Sequence, residues 1–190
     1  MARVQKKIRQ ELLKSKLNNS PFLTDESLAS FLRVSIQTVR LDRLEMGIPE
    51  LRERVRQMAQ TAQTKLTAIA SEDIIGELID LELGKSGISM LTITPEMVLE
   101  KTQVAQAQYI YAQANSLGLA VIDAPAAVTG VANIKHKHSV RLGDKLVAKA
   151  EVVKKRGNKY FVWVKTRNDT QEVFRAKFIM VSIDQRGENL

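Results

Sequence analysis

The chain has 190 residues, room for one medium domain or for a small domain joined to a medium one. Hydrophobic side chains make up 44% and charged ones 26%, the balance of a folded protein, which excludes wholesale disorder. Cysteine is absent, so a disulfide scaffold, a cysteine nucleophile and thiolate metal sites are excluded, and the two histidines, His136 and His138, are too few for a typical zinc site without carboxylates.

The net charge of +8 is unevenly placed. Residues 1–60 hold 12 Lys/Arg against 7 Asp/Glu, whereas residues 71–190 hold 16 against 14. A cationic front third suits a polyanion such as nucleic acid. No apolar run approaches the ~20 residues that cross a bilayer, so no membrane partner is expected. The opening MARVQKKIRQELLKSKL is charged throughout with no apolar signal core. A cytoplasmic protein is the simplest expectation.

Residues 4–17 place Val4, Ile8, Leu12 or Leu13 and Leu17 at helical spacing, and Pro21 cannot continue that helix. A second helix starts at the capping Thr24 and runs through DESLASFL, with Leu28, Phe31 and Leu32 as its inner face. Arg33-Val34 makes a turn. Ser35 then caps a third helix, Ile36 to Met46, closed by Gly47. Its spacing puts Ile36, Val39 and Leu44 towards a core and leaves Gln37, Thr38, Arg40 and Arg43 outward. Three helices with a tight last turn form the layout of a helix-turn-helix. Gln reads adenine and Arg reads guanine in the major groove, while Ser and Thr hold phosphate. Ser35, Gln37, Thr38, Arg40 and Arg43 are therefore the expected DNA-binding residues.

Residues 49–70 read as an amphipathic helix with an apolar stripe of Leu51, Val55, Met58, Ala62, Leu66 and Ile69. It can pair with a twin, dock on the next domain, or only link. Arg52, Arg54 and Arg56 decorate its first turns, and Arg52 and Arg56 are expected to reach DNA phosphates or the minor groove.

From residue 74 the period changes. IIGELIDLELG and SGISMLTI read as strands around a turn at Gly84-Lys85-Ser86-Gly87. Thr94-Pro95-Glu96 is a helix start. The Ala- and Gln-rich segment Lys101 to Ala120 reads as a long helix. Strands are expected at 132–140, 146–155, 160–167 and 172–182, the last placing Phe174, Ala176, Phe178 and Met180 on one face. The class is α+β: helix-turn-helix at 1–48, linker helix at 49–70, and at 71–190 an antiparallel sheet wrapped around a central helix. Two such sheets can join edge to edge in a homodimer.

That layout resembles the hot-dog fold, which hosts acyl-CoA thioesterases and non-catalytic binders alike. Its thioesterases generally need an Asp or Glu on or near the central helix as base or nucleophile. Residues 101–122 contain none; Glu100 and Asp123 only bracket the segment. His136 and His138, flanked by lysines, read as a solvated basic strand. No glycine-rich phosphate loop, nucleophile elbow or metal cluster is visible. The domain is expected to bind rather than convert, with no cofactor. Gln103, Gln106, Gln108, Gln113 and Asn115 supply neutral amides near the helix, and Asn115 either fixes a ligand or ties the helix to its neighbours.

Three stretches carry a closer resemblance: PFLTDESLASFLRVSIQTVRLDRLEMGIPELRERV, IIGELIDLELGKSGISMLTI and YAQANSLGLAVID. With them the chain resembles the FapR family of bacterial repressors of fatty acid and phospholipid synthesis genes. The resemblance implies a homodimer on an inverted-repeat operator in double-stranded DNA, released by malonyl-CoA. Asn115 corresponds to the Asn of the family's Q-A-N-S pocket motif. The family's I-A-R-G-H, whose Arg meets the malonyl carboxylate, is here V-A-Q-A-Q, so Gln106 replaces Arg and Ala107 replaces Gly. The upstream aromatic position is Leu99. Exchanging a guanidinium for a neutral amide costs about 1.5–3 kcal/mol against a carboxylate, so the implied effector is malonyl-CoA or another acyl-CoA. A thioesterase carrying a DNA-binding appendage and a DNA binder with a decayed pocket are the rivals.

Overall fold

The computed structural model describes residues 5–183; Val4 lies outside them. The chain divides into two compact units, Met1–Met58 and Ala59–Leu190.

The first unit contains α1 (Lys6–Asn19), α2 (Asp25–Leu32), α3 (Ile36–Glu45) and the start of α4 (Leu51–Gln63). Thr24 caps α2 by accepting from the Ser27 N–H, and Ser35 caps α3 by accepting from the Thr38 N–H. Between them Arg33 takes a left-handed conformation, φ 54°, which ends α2. Gly47, φ 65°, does the same after α3.

The core of this unit follows the sequence expectation at Leu17, Leu28, Leu32 and Val39 and departs from it at other positions of each helix. Leu13 and Leu17 are buried from α1, Leu28, Ala29 and Leu32 from α2, and Val39 from α3. Of the Leu12 or Leu13 alternative Leu13 is the buried one, while Ile8, Phe31, Ile36 and Leu44, expected inside, are exposed. The reason is ionic. Arg9 and Asp42 are both buried and form a paired contact, Nε–Oδ2 2.6 Å and Nη2–Oδ1 3.0 Å, between α1 and α3. Bringing Arg9 inward selects the Arg9–Leu13–Leu17 face of α1, one residue from the apolar stripe. Phe31 keeps partial cover from the Lys16 ammonium 4.8 Å from its ring centre.

The second unit is a six-stranded antiparallel sheet in the order β1-β2-β4-β5-β6-β3. Its strands are β1 (Glu77–Glu82), β2 (Ser86–Thr92), β3 (Ala127–His136), β4 (Lys145–Arg156), β5 (Lys159–Arg167) and β6 (Glu172–Ser182). The helix α5 (Ala107–Ala120) packs on one face and buries Ile110, Ala114 and Leu117 against Tyr160, Val162, Phe174, Phe178 and Met180. Phe174, Ala176, Phe178 and Met180 share the inward face of β6, as their alternation predicts. Gly76, φ +86°, must be glycine, since a Cβ would run into the Met90 carbonyl.

Two helices are shorter than expected. α4 stops at Gln63, where Thr64 turns its hydroxyl back to the Thr61 carbonyl and the next N–H groups bond three residues back. Leu66 and Ile69, expected on that helix, instead pack on the core of the second unit from the irregular segment after it. α5 begins at Ala107 rather than near 101, because Gln103 is left-handed, φ 55°, and Val98–Ala105 and Val104–Arg141 form bridges.

Replacing Arg9 by Met strands Asp42 in the core. Removing one partner of a buried pair costs about 3–5 kcal/mol, and replacing both with apolar groups is close to neutral. Denaturant unfolding of the full chain, followed by helix signal, is expected to show Arg9→Met losing stability and Arg9→Met/Asp42→Leu recovering most of it.

Candidate DNA-reading face and ligand pocket

The two ends of α3 are set by different chemistry. At its start the Ser35 hydroxyl serves as cap and lies 2.9 Å from the Thr38 hydroxyl. Both expected DNA contacts therefore position the helix N-terminus, whose free N–H groups favour an anion. Gln37 is exposed. The Arg40 side chain is exposed too, with only a long 3.4 Å contact to Asp25.

Arg43 departs from its expected outward position. Its side chain is 7% exposed. It donates through Nε and Nη2 to the two Asp25 oxygens, 2.8 Å each, and through Nη1 to the Ile48 carbonyl at 3.0 Å. This planar fork joins α3 to the first turn of α2 and to the chain after α3. Val39, Asp42 and Arg43 form the inward stripe, so Gln37, Arg40, Leu41 and Leu44 form the outward one.

Among the arginines of α4, Arg52 and Arg56 are exposed, as expected of phosphate contacts. Arg54 is buried and donates to the carbonyls of Pro49 (2.7 Å), Leu23 (2.8 Å) and Pro21 (3.3 Å). Burial first, and the nearby Arg43 charge second, hold its guanidinium below its usual pKa. Spacing along the sequence does not distinguish Arg54 from its neighbours. Only the loop carbonyls it satisfies do so.

In the second unit a pocket of about 330 Å³ opens beside the start of α5. Its lining is Val104, Ala105, Ala107, Ile110 and the run His136, Lys137, His138, Ser139, Val140. Of the four expected effector residues, Ala107 alone is in that lining. The Gln106 amide turns back to the Val98 carbonyl at 3.4 Å and accepts from Gln108 at 3.1 Å. Leu99 is exposed, on a loop closed by its own N–H to the Val104 carbonyl and by the Gln103 N–H to its carbonyl. Asn115 is half-buried and accepts a 2.6 Å bond from the Thr129 hydroxyl, tying α5 to β3. Gln113 is fully buried and donates to Ser89 and the Leu146 carbonyl, anchoring α5 on β2 and β4.

The polar side of the pocket, His136 to Ser139, is visible in the sequence only as a basic strand. The His136 ring meets Phe174 edge-on, centroids 4.8 Å apart, and burial holds its imidazole below the usual pKa. Lys137 pairs with Glu172 at 2.5 Å, and this bond holds the Glu172 carboxyl low. No carboxylate is in the lining; Glu100 and Asp123 are both exposed.

The thioesterase superfamily profile matches residues 105–174. The same fold occurs in a sigma28-regulated virulence protein from Campylobacter jejuni, 21% identical with TM-score 0.63 over 68% of this chain and 92% of that one. It occurs again in a Streptococcus mutans protein bound to acetyl CoA, 22% identical with TM-score 0.50 over 56% of this chain and 86% of that one. The second unit is thus a hot-dog domain of the thioesterase superfamily. Transcription factor FapR of Caldanaerobacter subterraneus subsp. tengcongensis is 56% identical, over 96% of this chain and 92% of that protein. The chain belongs to the FapR family of transcription factors. Among the described residues, no helix is long and apolar enough to cross a membrane.

Arg43 and Arg9 hold the carboxyls of Asp25 and Asp42 below their ordinary pKa. Both acids therefore bind protons more weakly folded than unfolded, and their contribution is complete above the unfolded value of about 3.9. It is lost as pH falls through the depressed values. An acid titration of helix signal is expected to show loss of the first unit on that limb, displaced in Arg9→Met/Asp42→Leu, where one pair is gone.

Proposed function

We propose that this chain represses genes of fatty acid and phospholipid synthesis as a homodimer on an inverted-repeat DNA operator, and that an acyl-CoA, malonyl-CoA in the simplest case, releases it. The observation that carries the DNA half is the outward stripe of α3, where Gln37 and Arg40 stand exposed behind a capped helix N-terminus. Gln37 offers an amide for an adenine edge, and Arg40 is free to exchange its long Asp25 contact for guanine or phosphate. Ser35 and Thr38 set the helix start against the backbone, and Arg52 and Arg56 add sequence-independent phosphate charge. Arg43 acts by positioning α3. Such a protein works where the chromosome is, in the bacterial cytoplasm.

Dimerisation is supported by β3, an edge strand that pairs with β6 alone and exposes Val131 and Ile134. An unpaired edge of this length is a template for a second strand. The acyl-CoA reading is supported by the pocket: an apolar floor from Val104, Ala107 and Ile110 beside His136, Lys137 and His138 suits a thioester with an anionic carrier. A protein of the same fold holds acetyl CoA. The non-catalytic reading is supported by relatives named as transcription factors and by the absence of Asp and Glu from residues 101–122 of the sequence. Release requires the ligand to favour a state that cannot seat both α3 helices on the operator.

A band-shift titration on a duplex selected by the full-length protein tests this. Malonyl-CoA or a related thioester at millimolar level is expected to dissolve the complex without liberating free thiol. A complex indifferent to every thioester contradicts the switch. Gln106→Arg is expected to tighten malonyl-CoA binding about ten- to a hundredfold, read by calorimetry.

A further inference from the structure

The outward stripe of α3 is only half polar. Gln37, Arg40, Leu41 and Leu44 follow the i, i+3, i+4, i+7 spacing of one helix face. Leu41 is 61% exposed and Leu44 73%. A single exposed leucine needs no explanation. Two on one stripe, interleaved with an amide and a guanidinium, describe a surface with a defined complement. The other exposed apolar side chains of this unit are less exposed: Ile8 and Leu12 on α1, Phe22 before α2, Phe31 on α2 beside Lys16, and Ile36 at the start of α3, off the stripe.

Charge narrows the occupant. The carboxylates on α3 are both paired, Asp42 with Arg9 and Glu45 with Lys6, and Asp25 beside it is held by Arg43. The stripe thus meets a partner with exposed Arg40 and no unpaired negative charge of its own. A polyanion fits that better than a protein surface. Within double-stranded DNA the major groove carries one apolar feature, the thymine C5-methyl group, set among hydrogen-bonding base edges. Leu41 and Leu44 are separated by about 4.5 Å along the helix axis. Successive base pairs lie about 3.4 Å apart, so the two leucines match neighbouring steps.

We propose that Leu41 and Leu44 are specificity-determining residues that each pack on a thymine methyl in the major groove, beside the bases met by Gln37 and Arg40. This rests on the DNA-binding reading above. On that account the hydrogen-bonding residues orient α3, and the leucines add discrimination that no hydrogen bond supplies. It also explains why solvated apolar side chains persist on the surface that must approach the most highly charged partner.

The test uses the full-length protein and a duplex it enriches from a randomised inverted-repeat pool. Each thymine is replaced in turn by deoxyuridine, which removes only the methyl group. Wild-type affinity is expected to fall about fourfold per half-site at two neighbouring positions. Leu41→Ala is expected to abolish the penalty at one of them and Leu44→Ala at the other, with unchanged melting and unchanged salt dependence. The proposal is overturned if every deoxyuridine substitution is silent in wild type, or if both variants keep the full penalties. Should no duplex be enriched at all, the DNA-binding reading falls with it, and the stripe becomes a protein-docking surface.

Discussion

Two ion pairs, one buried and one part-buried, decide what the helical unit presents to the outside. Arg9 with Asp42 and Arg43 with Asp25 draw charged groups into a core where hydrophobicity alone would place Ile8, Ile36 and Leu44. Such pairs add little net stability, because desolvating the charges offsets most of their attraction. What they do contribute is orientation. Each is forked, so α3 cannot rotate without stranding a carboxylate. The apolar core of Leu13, Leu17, Leu28, Leu32 and Val39 tolerates several rotations; the paired forks select one.

The second unit fixes α5 by a comparable device. Gln113 is an amide in an otherwise apolar interface, and its donors reach β2 and β4. Asn115 adds a bond to β3. With the helix pinned at its middle, its first turn and the strap of Leu99–Val104 border the pocket. The strap is closed by backbone bonds between Leu99 and Val104 and between Gln103 and Leu99, with the Gln103 amide adding a bond to the Glu100 carbonyl. At Gln106 the amide satisfies the Val98 carbonyl, and the one cation lining the cavity, Lys137, follows the end of β3.

Much of this was legible in the sequence. The residues of α2 and β6, the cap residues Thr24 and Ser35 and the closing Gly47 are written in local chemistry, and the structure bears them out. Inward faces in the first unit were legible only in part: Leu17, Leu28, Leu32 and Val39 are buried as their spacing predicts, but an apolar periodicity cannot register that Arg9, Asp42 and Arg43 turn inward in pairs. The start of α5 was missed because nothing in an Ala- and Gln-rich run announces the left-handed turn at Gln103. The pocket's polar wall was missed for a third reason. His136, Lys137 and His138 are distant in sequence from α5, and only the sheet order brings them beside Ala107. Arg54 looked equivalent to Arg52 and Arg56 until the loop carbonyls it satisfies were placed.

The absence of native cysteine allows a direct reading of which side of α3 faces out. Single substitutions Gln37→Cys, Arg40→Cys, Leu41→Cys, Leu44→Cys and Val39→Cys in the full chain are reacted with a thiol reagent, with and without the selected duplex. The account predicts fast labelling at 37, 40, 41 and 44, slow labelling at 39, and protection by DNA confined to the fast set. Fast labelling at 39, or DNA protection that spares 40 and 41, would contradict it.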